Sequence, residues 1–160
     1  MRNLKQRLER LKELTRPVAL FTEVMKNDML KELIINLNTQ DQLFKEGINS
    51  KGRKLEDIGG PYAESTIEGI PGVFKGKKEL GLPFDRVTLF QDGTFYGSFK
   101  VTTDSQGDIL INADPNKDGT NLFNEWGEAV LGLTPENVDV FRRELKFWIH
   151  KYIRDAYNRT

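Results

Sequence analysis

Two opposing periodicities in a chain of 160 residues predict an α+β fold, a small antiparallel β-sheet packed by N-terminal and C-terminal helices. Apolar residues recur every three or four positions at both ends. Near the middle, short apolar runs alternate and double back across a turn. A long Gly/Pro/Lys-rich loop separates the first helices from the sheet. The length suits one domain, 1–160.

Taken in order, Leu4, Leu8, Leu11 and Leu14 form a helical stripe, which Thr15 and Pro17 punctuate. A second helix is expected from about 17 to 37, with Leu20, Phe21, Val24, Leu30, Ile34 and Leu37 on its apolar side. These make up an N-terminal helical part, 1–38. Thr39 and Gln42 resemble a capping box, so a short helix through Phe44 should stop near Gly47. Gly59-Gly60-Pro61, Pro71-Gly72, Gly76 and Gly81 then break up 47–86, leaving an extended loop with one short helix at 64–70.

Val87–Phe90 reads as a strand and opens the sheet region, 87–113. A hairpin is expected at about 95–113, with Phe95, Phe99 and Val101 on one face, a turn at Ser105–Asp108 and a return strand at Ile109–Ile111. The span 114–133 is an acidic connection with a short helix at Asn121–Trp126. Thr134-Pro135-Glu136 is a strong helix start: a cap, Pro at the first position and an acid in the positive first turn. The last helix, 134–157, should turn Val138, Phe141, Leu145, Ile149, Tyr152 and Ile153 inward.

Composition narrows the function classes. Lys+Arg and Asp+Glu are each 24, which disfavours a histone-like polyanion binder. With no Cys, disulfide scaffolds, thiolate zinc sites and cysteine nucleophiles are excluded. No apolar run approaches the ~18 residues of a membrane span, and the N-terminus lacks an apolar signal core, so the chain reads as soluble and intracellular at synthesis. The neutral total hides polarity: residues 1–16 carry net +4, 104–139 net −7 and 140–160 net +4. Such runs are either solvated helix faces or the unlike ends of a subunit that docks on copies of itself or on unlike partners.

Catalytic signatures are missing. His150 has no partner in its local pattern and reads as an ordinary helix histidine. There is no nucleophile elbow, Walker loop or dinucleotide glycine pattern. Asp104 and Asp108 as paired carboxylates lack a basic partner or glycine motif beside them. No catalytic residue, cofactor or metal ligand is therefore assigned. One pattern competes: Asp114, Asn116, Asp118, Gly119 and Glu125 match a calcium-loop spacing of alternate oxygen ligands closed by a carboxylate. Against it, the loop is entered from a strand, Pro115 sits in second position and Asn121 replaces the usual apolar tie. A calcium-stabilised binding module on Asp114–Glu125 stays an alternative. Phe95, Tyr96 and Phe99 beside Lys100 suggest a base-stacking platform, but the alternate spacing fits core positions better. Phe147-Trp148-Ile149 makes the last helix apolar on most sides, which calls for cover either by another subunit or within a well-covered monomer.

Three stretches carry a resemblance. The first is Gln42-Leu43-Phe44, Gly47, Ser50, Gly52, Leu55, Pro61-Tyr62 and Thr66. The second is Val87-Thr88-Leu89, Asp92-Gly93 and Phe95–Phe99. The third is Leu122–Gly127 followed by Leu131–Asn137. Together they resemble the virion morphogenesis proteins of tailed phages, the Mu-type tail-completion (neck) family, over about 39–157. The resemblance implies a small α+β subunit and a non-enzymatic ring component at the head–tail junction. It implies as partners further copies of the chain, portal or adaptor proteins and tail-tube proteins, with passive DNA contact in the channel and neither membrane nor small-molecule substrate. The expected location is the virion, and the host cytoplasm during assembly. Asp92-Gly93-Thr94 stands where the family has Thr-Gly, and Ala129-Val130 where an arginine often precedes Leu-Gly-Leu. The neck position, completion or tail terminator, is therefore open. The residues expected at oligomer or partner contacts are Lys75, Lys77 and Lys78 in the loop, and Phe147 and Trp148 on the last helix.

Overall fold

A computed structural model describes residue 12, residues 16–117 and residues 119–158. The predicted first helical stripe lies outside the described residues. Helix α1, Pro17–Val24, starts as expected with Pro in its first turn. It does not run on to 37. The chain breaks at Met25–Asn27, and the Asn27 side chain accepts the Met29 N–H at 3.0 Å, capping a new helix, α2, Asp28–Asn36. Helix α2 continues without interruption into a widened π-type segment, Leu37–Glu46, which ends at Gly47 in the left-handed region. Thr39 is thus inside a helix and caps nothing; its hydroxyl donates to the Ile35 carbonyl one turn back.

The stretch 47–86 is more ordered than its composition predicts. It holds two short helices, α3 (Glu56–Gly59) and α4 (Glu64–Glu68), then a small hairpin of β1 (Gly69–Ile70) and β2 (Phe74–Lys75). Val87–Phe90 forms no strand. Thr88 accounts for this: its N–H donates to the Tyr62 hydroxyl and its carbonyl accepts the Tyr96 hydroxyl, so side chains fill the places of a strand partner. Leu89 adopts φ +59°, which a ladder would not allow.

Phe95 also differs from expectation. It lies in a one-turn helix, α5 (Thr94–Gly97), and the sheet begins only at β3 (Lys100–Thr103). Phe95, Tyr96 and Phe99 are all buried, a one-turn helical pattern that alternation cannot produce. Strand β3 pairs antiparallel with β4 (Ile109–Asn112), Val101 opposite Ile111, with Val101, Ile109 and Ile111 inward. Among the described residues the sheet is therefore not one unit but three separate two-stranded ladders, the third being β5 (Asn116–Lys117) with β6 (Thr120–Asn121). The acidic connection carries that ladder, helix α6 (Leu122–Trp126) and a 3₁₀ turn at Glu128–Val130.

The last helix, α7 (Pro135–Asn158), is capped by Thr134, whose hydroxyl accepts the Asn137 N–H at 3.3 Å. It buries Phe141 and Ala156 and packs Leu145, Ile149 and Tyr152 inward. Ile153 was expected inside and is 42% exposed; Ala156, three residues on, takes the inward position. Two buried clusters result. One gathers Leu43, Leu55, Val87, Leu89, the Phe95–Phe99 aromatics, Leu122 and Val130. The other joins α1, α2, Val101 and Phe141. Ile35 and Ile111 pack against both, making the apolar interior continuous. No described helix is long and apolar enough to cross a membrane.

Candidate assembly surface

A buried polar seam joins the halves of the fold. Asn38 and Gln42 lie four residues apart in the widened segment, and both are almost wholly buried. Asn38 Nδ2 donates to the Val130 carbonyl and its Oδ1 accepts the Gly132 N–H, each at 2.9 Å. Gln42 Nε2 donates to the Gly132 carbonyl at 2.9 Å, and its Oε1 accepts the Thr134 N–H at 2.8 Å. These amides act as a surrogate strand for a segment that has no ladder of its own. Because every polar group on the seam is paired, it fixes where α7 starts.

The surface features sit on that frame. The β1–β2 hairpin projects Ile70, Val73 and Phe74 into solvent; Val73 is 73% exposed and Phe74 43%. Leu80 and Phe84 lie exposed just after it. Five apolar side chains thus stand open within one short stretch, 70–84. The base of the hairpin is tightly built. A Cβ on Gly69 would stand 2.4 Å from the Gly76 nitrogen, and one on Gly76 would stand 2.2 Å from the Ile67 carbonyl oxygen. Only two glycines let these backbones cross. The hairpin is thus a firmly held arm with an apolar tip.

Lys77 completes the base, and here the expectation of an accessible contact residue is overturned. The side chain is 2% exposed. Its ammonium donates to the Phe90 carbonyl and stacks over the Tyr62 ring at 4.5 Å from the centroid. Tyr62 and Tyr96 both bond Thr88, so the lysine closes a polar knot beneath the arm. Burial pushes the Tyr96 phenol well above its ordinary pKa, with a smaller push from Tyr62. Lys75 and Lys78 are exposed as expected, though each is paired: Lys75 with Glu79 at 2.9 Å and Lys78 with Glu68 at 2.7 Å. The hydrogen bond to Glu79 raises the Lys75 pKa.

On α7, Phe147 is 57% exposed, whereas Trp148 is only half-open. The Trp148 ring meets Phe147 edge-on at 5.8 Å and carries the Lys151 ammonium at 4.6 Å. Trp148 also lines a groove of about 150 Å³ between α1 and α7, with Glu23, Val24, Asn27, Lys151, Tyr152 and Asp155. His150 lies on the exposed side of α7.

Two acids of the stretch 104–139 close local turns. Asp104 caps its own turn through the Gln106 and Asp108 N–H groups. Asp114 Oδ1 accepts the Asn116 N–H and amide, each at 3.0 Å, closing a local turn. Lys117 turns away to Asp92 at 2.8 Å. That hydrogen bond, with the Thr94 N–H, holds the Asp92 carboxyl far below the usual carboxylate range. Of the calcium-loop residues, Asp118 lies outside the described ones, and Glu125 is exposed on α6. Among the described residues no three His, Cys, Asp or Glu side chains gather as metal ligands.

The sequence reading missed the seam and the arm's tip. Asn38, Gln42 and Asn137 look like ordinary helix polars; only the later Gly132 and Thr134 hint that a nearby segment needs partners. Val73 and Phe74 follow Pro71-Gly72 in a stretch whose Gly, Pro and Lys content reads as an extended loop. Set against known proteins, the chain finds no match: no family model, curated protein or solved structure aligns with it.

Proposed function

We propose that the chain is a structural virion protein of a tailed bacteriophage, a head–tail connector or tail-completion subunit that assembles into a ring. The observation that carries the reading is the anchored arm: a rigid base beneath exposed Ile70, Val73 and Phe74. Side chains of this kind, held out on a fixed support, suit protein–protein contact more than chemistry. The stretches that resemble the neck family supply the elements that build the fold. Gln42 and Leu131–Asn137 make the seam, and Val87–Phe99 fills the first cluster. Tail terminator is the neighbouring assignment within the same reading. A calcium-stabilised binding module on Asp114–Glu125 is the second reading, and a thermal melt with calcium and with chelator separates it from the first.

Genetics tests this reading. In a phage whose genome encodes the chain, its deletion should leave filled heads and free tails that fail to join. Normal yields of joined, infectious particles from the deletion would overturn it.

A further inference from the structure

We propose that the solvent face of α7 binds single-stranded nucleic acid, with Phe147 and His150 stacking on unpaired bases while Arg143, Lys146 and Arg154 meet the phosphates.

Helical spacing makes the row. Residues 143, 146, 147, 150, 154 and 157 recur at the three- and four-residue steps that place side chains on one side of a helix. The opposite side turns Phe141, Leu145, Ile149 and Tyr152 into the interior. Every residue of the row is exposed. Phe147 meets Trp148 edge-on at 5.8 Å, which holds its ring in place and leaves it 57% open. From Arg143 to Tyr157 the row runs about 21 Å, roughly six nucleotides at about 3.4 Å each. Helix α7 is ordered before any partner arrives, so little freedom is lost on binding.

Charge selects the partner. Among the described residues Arg143 and Lys146 stand in no ion pair, and Arg154 reaches only Asp155, at 3.9 Å. From Arg143 onward the row carries no carboxylate. Glu144 lies off it, and Asp155 turns to the groove beside α1. Asp139, a turn earlier, is paired with Arg142 at 3.2 Å. Cations set among rings suit the core of a protein contact poorly, since lysine is depleted there. They fit a strand that offers a phosphate beside each base. The rings need base faces not already stacked in a duplex, which selects the single strand. Trp148 takes no part, because its ring already carries the Lys151 ammonium. The Phe95–Phe99 aromatics, where the sequence suggested a stacking platform, are buried.

The row is complete in one copy, so this binding stands apart from ring assembly. Fluorescence anisotropy of a labelled oligothymidylate tests it. The single strand should bind more tightly than a duplex of equal length. Its log K should fall with log salt at a slope of about −2, the value for three phosphate contacts. Arg143→Gln with Lys146→Gln should flatten that slope to about −0.7. Phe147→Ala should weaken binding about tenfold at an unchanged slope. Lys75→Gln with Lys78→Gln, exposed cations elsewhere, should leave affinity and slope as they were. Melting temperatures should hold throughout, which separates lost contact from lost fold. No binding at low salt, a duplex bound as tightly as the single strand, or affinity untouched by the row variants would each overturn the assignment. So would a Phe147→Ala variant that lowers the mass of an assembly and leaves oligothymidylate binding unchanged, since that gives the face to a second copy.

Discussion

Asn137 donates its side-chain amide to Gln42 Oε1 at 3.0 Å and to the Leu37 carbonyl at 3.1 Å, across 95 and 100 residues of chain respectively. The same Gln42 oxygen accepts the Thr134 N–H. One glutamine therefore sets both the cap and the first turn of the last helix. Gln42→Leu would leave the Thr134 N–H without its acceptor and Asn137 with half its partners. A loss of about 2–4 kcal/mol is expected, read as a lowered urea midpoint at an unchanged slope.

Lys77 separates a buried lysine from its exposed neighbours. Lys75→Glu with Lys78→Glu should leave the melting temperature within a degree or two, since exposed pairs contribute little. Lys77→Glu should lower it sharply, because it buries a carboxylate against the Phe90 carbonyl in place of the ammonium. Lys77→Met, of similar length and uncharged, should fall between the two. Equal melts for Lys77→Glu and the double variant would refute the burial described for it.

Gly76→Ala tests the base of the arm. The added methyl meets the Ile67 carbonyl oxygen and the Gly69 nitrogen, both backbone atoms. Overpacking of this kind costs about 1–3 kcal/mol. Hydrogen exchange should quicken at the Lys77 and Lys78 amides, which bond the Thr66 and Ile67 carbonyls. Unchanged protection there would contradict the tight crossing.

Asp92 gives a dependence on pH. Lys117 depresses its carboxyl in the folded chain, whereas the unfolded carboxyl titrates near its ordinary value of about 3.9. The contribution is therefore complete above that value and is lost as pH falls below it toward the folded pKa. The side chains are 57% and 16% exposed for Asp92 and Lys117, so solvent screening limits it to about 1 kcal/mol or less. Lys117→Met should return the Asp92 carboxyl toward the ordinary range in an NMR titration. An unmoved titration would remove Lys117 as the cause.

How much of this was legible follows from where each pattern had competitors. The last helix announced itself through Thr134-Pro135-Glu136 and its apolar stripe, since capping and period pointed the same way. The hairpin core at Val101 and Ile109–Ile111 was equally plain. Phe95 and Phe99 misled because a spacing of four satisfies both a strand face and a helical turn; the burial of Tyr96 between them decides for the turn. Val87–Phe90 has strand composition, yet its backbone is satisfied by Tyr62 and Tyr96, which no local pattern announces. Lys77 looked like one of three loop lysines because burial of a lysine depends on Tyr62, fifteen residues earlier, and on Phe90, thirteen later. Side-chain to backbone pairings over such distances carry no periodicity.

The account stands on the chain acting through copies of itself, and sedimentation equilibrium of the wild-type protein from micromolar to millimolar concentration tests that most directly. It predicts an average mass that climbs with concentration toward a closed multiple of the monomer. A single monomer mass across the whole range, at low and high salt alike, would contradict it.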